Sequence, residues 1–177
     1  MPYLSIPRRL ARLGPIFVAV STIALGGEPS NSAVGDVSSL FQDAKATADQ
    51  LKRDVIEMES YARSALSWRS HAAQITKIKD HINKAGQIAA QLEKSRSSAQ
   101  PWHETAIERV TPLIRELASN TSAMIERINQ QRSMTDPAYN AFLKSNEDLA
   151  TELSNLISDT VEYDKTKTAM QQQQGKG

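Results

Sequence analysis

The fold is decided by residues 37–65, a stretch that reads VSSLFQDAKATADQLKRDVIEMESYARSA. Its apolar side chains recur at alternating steps of three and four residues, at Val37, Phe41, Ala44, Ala48, Leu51, Val55, Met58, Ala62 and Ala65. A 3–4 alternation averages 3.5 residues, the period of helices that pack along their length at shallow crossing angles. The stretch therefore predicts a long helix with a thin, alanine-rich apolar face.

Three further stretches carry the same pattern. The second stripe comprises Trp68, His71, Ile75, Ile78, Ile82, Ala85, Ala89 and Leu92. The third comprises Ile107, Val110, Ile114, Leu117, Thr121, Met124 and Ile128. The fourth comprises Phe142, Asn146, Leu149, Leu153, Leu156, Thr160 and Tyr163. The two-residue alternation of strands occurs nowhere over a useful length, so the chain is predicted to be all-α.

Capping residues and prolines place the breaks between these helices. Asp136 is a capping carboxylate, and the Pro137 that follows it tolerates the first helical turn. Pro101 opens the third helix in the same way, and Asp36 is the predicted cap of the first. The predicted helices span residues 37–66, 68–97, 101–132 and 137–168, within a domain over residues 36–169.

The junction between the first two helices is the least marked, because neither Gly nor Pro occurs between Asp36 and Ala85. The stripe there steps by three at positions 62, 65, 68 and 71, which a continuous helix follows only by overwinding. Nearby serines offer caps, so a tight turn is predicted at residues 66–67. Equal helices with short connections favour an antiparallel up-down-up-down four-helix bundle. The alternative is an elongated coiled coil in which helices 1 and 2 are continuous.

The two ends of the chain are predicted to lie outside this bundle. Residues 1–26 combine a basic start with an apolar run over residues 13–25 and small residues after it, which is typical of a secretory signal peptide cut after Gly26. We therefore expect an exported protein, periplasmic or extracellular, or one tethered to the membrane if the segment is not cleaved. Residues 27–35 are expected to form a flexible leader, and residues 170–177 a disordered Gln-rich tail.

Composition excludes several classes of protein. The chain has no cysteine, hence no disulfide, thiolate metal site or cysteine nucleophile. It has 21 basic and 20 acidic residues, and removal of Arg8, Arg9 and Arg12 with the signal leaves 18 basic against 20 acidic. A weakly acidic chain with interspersed charges has no positive face for nucleic acid. We expect no nucleic-acid partner and no stable membrane insertion of the mature chain.

The sequence contains no recognisable catalytic or metal-binding pattern. The Glu-x-x-His pairs of di-iron bundles are absent, and His103-Glu104 lacks the second histidine of a zinc protease motif. No phosphate-binding loop or nucleophile elbow is present. We therefore expect no metal, no cofactor and no enzymatic activity.

Three polar residues interrupt the apolar stripes: His71, Thr121 and Asn146. Thr121 and Asn146 lie at similar distances from the turn that joins helices 3 and 4, so they should meet in an antiparallel pair. Together with His71 they form either a small polar pocket or buried hydrogen bonds that fix helix register. Trp68 and Trp102, at the starts of two helices, are expected to cover opposite ends of the core.

The sequence thus favours an exported, non-enzymatic bundle that acts by protein–protein interaction or self-association, with the alanine-rich face of the first helix as the candidate contact. One alternative is a ligand-binding or sensory bundle that uses the polar pocket near His71, Thr121 and Asn146. A second alternative is an amphipathic bundle that acts on membranes.

Overall fold

The computed structural model describes residues 31–63, 67–131 and 135–174. Four helices account for nearly all of them: α1 (Asn31–Arg63), α2 (Trp68–Lys94), α3 (Pro101–Gln131) and α4 (Pro137–Gln174), with one 3-10 turn at Arg96–Ser98. Each helix packs against two neighbours, in the cyclic order α1, α2, α3, α4. The all-α four-helix bundle predicted from the sequence is confirmed.

The first two helices are separate and antiparallel, so the alternative of one continuous helix is wrong. The Ser67 side chain caps α2 by accepting a hydrogen bond from the Ser70 N–H at 3.4 Å. Helix α2 runs back along α1: Gln74 Nε2 donates to the Asp54 carbonyl at 3.0 Å, and His81 Nδ1 lies 2.5 Å from Asp54 Oδ2. Residue 66 of the predicted turn lies outside the described residues. The physical reason is that a capping serine satisfies the amide groups that a broken helix exposes.

The other two predicted starts are confirmed. Asp136 Oδ1 accepts from the Ala138 N–H at 3.2 Å, which is the capping bond expected ahead of Pro137. Helix α3 begins at Pro101, and the carbonyl before it accepts the first helical bond from the Glu104 N–H at 3.0 Å.

Three helix bounds differ from the prediction. Helix α1 begins at Asn31, which places part of the expected leader and Asp36 inside the helix. Helix α4 continues to Gln174, so residues 170–174 of the predicted disordered tail are helical, because methionine and glutamine favour helix and no glycine intervenes before Gly175. Helix α2 ends at Lys94, where Ser95 begins the 3-10 turn. The predicted signal segment over residues 1–26 lies outside the described residues.

Most residues of the first three stripes are buried as predicted, although Ala62 and Trp68 are half-buried and Ala65 lies outside the described residues. The fourth stripe is rotated. In α4 the buried positions are Tyr139, Leu143, Asn146, Ala150, Leu153, Ser154, Ile157, Thr160 and Val161. The predicted stripe shares Asn146, Leu153 and Thr160 with this set. It also contains Phe142, Leu149 and Leu156, each of which comes one residue before a buried position. Both choices alternate by three and four, so spacing alone does not separate two adjacent apolar faces of one helix. Among the described residues, no helix combines the length and apolar character that a membrane span requires.

Candidate functional site

His71 belongs to a buried contact between α2 and α4. Its ring is fully buried, and Nδ1 is hydrogen-bonded to the Tyr139 hydroxyl at 2.9 Å. Burial lowers the pKa of His71, opposed by the nearby backbone of Tyr61. Burial also raises the pKa of Tyr139. Both side chains are therefore neutral at pH 7, and they join two helices across the core.

Thr121 and Asn146 meet between α3 and α4, as the sequence predicts. Asn146 Nδ2 donates to Thr121 Oγ1 at 3.0 Å and lies 3.5 Å from Met124 Sδ. The amide oxygen of Asn146 is buried and accepts no hydrogen bond within the described part of the chain. A buried, directional bond of this kind fixes the register of two helices against each other.

The three predicted site residues do not gather in one pocket. Tyr139, the partner of His71, precedes Asn146 by seven residues, which is about 10 Å along a helix. The structure therefore has two separate interhelical pairs, each made of side chains that are at most 2% exposed. This arrangement favours hydrogen bonds that fix helix register over a shared ligand pocket. The ligand pocket stays a prediction.

A second buried histidine, which the predicted apolar stripes do not include, lies at the opposite end of the bundle. His103 is fully buried in the first turn of α3, and its ring stacks on Phe41 with 5.1 Å between centroids. Its Nε2 lies 3.3 Å from Asp164 Oδ1 of α4. Burial lowers the pKa of His103, opposed by the nearby carboxylate of Asp164. The four-residue step from position 103 to Ile107 indicates a buried position, since it extends the third stripe by one turn.

Next to His103, two aromatic side chains form one end of a surface groove between α3 and α4. The rings of Trp102 and Tyr163 meet edge to face with 5.4 Å between centroids. Tyr163 is 46% exposed, whereas the fourth stripe predicted it in the core. Trp102 Nε1 is buried and has no hydrogen-bond acceptor among the described residues. Trp102, which was predicted to cover one end of the core, also forms a wall of this groove.

We call this feature the α3/α4 groove. Its aromatic end is a concavity of about 380 Å³ whose lining includes Trp102, Ala106, Arg109, Leu156, Asp159 and Tyr163. A second concavity of about 490 Å³ continues it along α4 and shares Arg109, Leu156 and Asp159 with the first. The two together form one elongated depression on the surface.

The α3/α4 groove is acidic. Glu147, Asp148, Glu152 and Asp159 line it, and Arg109 is the one cation of its lining. Lys144 pairs with Asp148 at 2.6 Å and with Glu147 at 3.4 Å. Within the described ranges, Glu152 and Asp159 make no ion pair and no side-chain hydrogen bond. They lie seven residues apart on an exposed edge of α4, about 10 Å along the helix.

Within the described residues, part of the alanine-rich face of the first helix is covered inside the bundle, which does not favour that face as the contact surface. Ala44 is 6% exposed and Ala48 is 1% exposed, because α2 and α4 cover that face of α1. The small side chains thus serve close packing inside the bundle. In the described residues, no group of three or more His, Asp or Glu side chains is placed to hold a metal ion.

Comparison of the chain with models of protein families, with curated proteins and with solved structures finds no match.

Proposed function

We propose that this protein is an exported, non-enzymatic helical bundle that binds a partner protein through the α3/α4 groove. One observation carries the proposal: Trp102, Arg109 and Tyr163 line the same surface concavity. Tryptophan, tyrosine and arginine are the residue types that contribute most binding energy at protein interfaces, especially where they surround a pocket.

The core supports a non-enzymatic role. Two of the three histidines, His71 and His103, have fully buried rings, and the third, His81, is 31% exposed and pairs with Asp54. A general acid or base has to reach its substrate within hydrogen-bonding distance. His71 instead bonds Tyr139, and His103 packs on Phe41. Both histidines serve contacts between helices.

Export is supported by the composition of residues 1–26, with their arginines followed by an apolar run. The full chain, expressed in a bacterium, should yield a mature protein whose N-terminus is Gly27 in the exported fraction. Mass spectrometry of the purified protein measures this end directly. An intact N-terminus recovered with the membranes would favour the uncleaved tether instead.

Partner binding is tested by photo-crosslinking at two positions of matched exposure. A photoreactive amino acid replaces Tyr163, which is 46% exposed in the groove, or Ile56, which is 44% exposed on α1. Irradiation in the source cells should give a discrete crosslinked product from position 163 and none from position 56. Equal products from both positions, or none from either, would contradict the proposed surface.

A further inference from the structure

We infer that the partner segment that occupies the α3/α4 groove is a basic amphipathic helix. The inference rests on the proposed function and adds the chemistry of the partner. It is carried by one juxtaposition: a partly apolar aromatic pocket at one end of the groove, and an edge of α4 on which Glu152 and Asp159 have no ion pair within the described residues.

The aromatic end suits an apolar side chain. Trp102 and Tyr163 form its walls, and Ala106 and Leu156 add apolar surface between the two helices. Leu156 is only half-buried, so this surface is open to a partner. Burial of an aliphatic or aromatic anchor there removes apolar area from water on both molecules.

The carboxylates continue from this pocket in a line. Along α4 the positions Asp148, Glu152, Asn155, Asp159 and Tyr163 follow at steps of four, three, four and four residues, and all of them line the groove. Such spacing keeps them on one edge of the helix. Glu152 lies about 16 Å from the level of Tyr163, a distance that three turns of a partner helix span.

The shape of the groove favours a helix as its occupant. Two packed helices leave a furrow along their contact line, and a third helix fits such a furrow with anchors at positions i, i+3, i+4 and i+7. A partner helix that lies along α4 has the same rise per residue as α4. When its leucine or phenylalanine occupies the aromatic pocket, its following side chains therefore lie opposite the carboxylates. Lysine and arginine complement those positions.

Charge also argues against two other occupants. A symmetric dimer through this groove sets the same patch of both copies together, so Glu152 and Asp159 would face carboxylates. An anionic membrane surface repels the same line of charges. A basic segment gains from both carboxylates, because neither Glu152 nor Asp159 has an ion pair within the described residues to give up.

The test uses the full mature chain and two synthetic helices. One peptide has an amphipathic leucine/lysine pattern, and the other has the same pattern with glutamate in place of lysine. Fluorescence anisotropy of labelled peptide measures the Kd for the unmodified protein. In a Trp68→Phe variant Trp102 is the sole tryptophan, so its emission reports contact at the groove.

Matched charge variants locate the binding. The pair Glu152→Gln with Asp159→Asn removes two groove charges, while Asp43→Asn with Asp80→Asn removes two exposed charges from α1 and α2. Net charge is the same in both variants, so a difference between them is local. We expect the groove pair to raise the Kd of the lysine peptide at least 10-fold and the control pair to change it less than 2-fold. Added salt weakens the unmodified complex because exposed charges are screened.

Binding of the glutamate peptide, equal effects of the two charge variants, or no change in Trp102 emission on binding would each overturn the inference. A concentration-dependent dimer in light scattering that the groove variant abolishes would replace the basic helix with a second copy. If the lysine peptide fails to bind but position 163 still gives its discrete crosslink, partner binding stands and only the basic helix is wrong.

Discussion

His71 and His103 are both fully buried, yet they lie at opposite ends of the bundle with different surroundings. Their contacts on α4, Tyr139 and Asp164, are 25 residues apart, about 38 Å along the helix. His71 faces a neutral hydroxyl inside the core. His103 faces a carboxylate that is 19% exposed and adjoins the groove.

The His71 end of the bundle is closed, whereas the His103 end is open to the surface. At the His71 end, Nδ1 is hydrogen-bonded to the Tyr139 hydroxyl inside the core, and a positive charge on the ring finds no counter-charge among its contacts. At the His103 end, the neighbouring residues Trp102 and Tyr163 reach the surface and form the groove. The first end holds helices together, and the second is where we propose that the bundle meets a partner.

The largest expected effect on stability comes from removing the aromatic ring that stacks on His103. Phe41→Ala removes a side chain that is 1% exposed and stacked on His103, and should lower the free energy of unfolding by about 3–5 kcal/mol. Urea unfolding followed by circular dichroism measures the loss. Leu40→Ala, at a half-buried neighbour, is the control and should cost less. Equal losses in the free energy of unfolding would show that the contact of Phe41 with His103 adds nothing to stability.

Acid should destabilise the bundle through both ends. The pKa values of His71 and His103 are lowered by burial from the ordinary 6.5, so the unfolded chain binds protons that the folded chain does not. Their contribution to stability is present above pH 6.5 and is lost as the pH falls towards the lowered values. Urea midpoints should therefore decrease as the pH is lowered below 6.5.

The two ends should differ in this titration. Asp164→Asn removes the carboxylate that raises the pKa of His103 and should lower that pKa further, leaving His71 unchanged. Ring-proton shifts in an NMR titration follow each histidine separately. A shift of both residues, or of neither, would contradict a local role for Asp164.

The hydroxyl at the closed end has a smaller effect. Tyr139→Phe keeps the packing but leaves His71 Nδ1 without its partner, and should cost about 1–3 kcal/mol at pH 7. Tyr163→Phe is the matched control, since its ring is 46% exposed, and should change stability by less than about 0.5 kcal/mol. Thermal and urea unfolding compare the two. If both variants behave alike, the bond between His71 and Tyr139 does not stabilise the fold.

The smallest expected effect lies between the ends, at the Thr121–Asn146 pair. Thr121→Val removes the acceptor of Asn146 Nδ2 and should cost about 1 kcal/mol. Adding Asn146→Leu replaces the stranded amide with an apolar side chain and should recover much of that loss. Urea unfolding of the single and double variants gives the coupling. A double variant less stable than the single one would mean that Asn146 contributes through contacts other than Thr121.

The sequence predicted helix positions well wherever one stripe dominated a helix. The apolar spacing of α1 and the cap at Asp136 each depend on residues within a few turns, so they are legible without the fold. In α4, Leu149 and Leu156 suggested one face, while Ala150 and Ile157 form the buried one. Only the neighbouring helices decide between two such faces, because both satisfy the same spacing.

The candidate site was less predictable than the core. Thr121 and Asn146 were paired correctly, since their distances from a common turn are fixed by helical rise. The pairing of His71 with Tyr139 depends on contact between α2 and α4, which are not consecutive in the chain. The groove depends on the rotation of α4, which turns Tyr163 outward to meet Trp102.

The sequence by itself determined the helices, their starts and most of their buried stripes, because helical periodicity and capping act between residues close in the chain. The tertiary structure decided which polar side chains meet, which face of α4 is buried and where the surface is concave. Those features depend on the rotation and pairing of whole helices, which many weak contacts set together and no local pattern encodes.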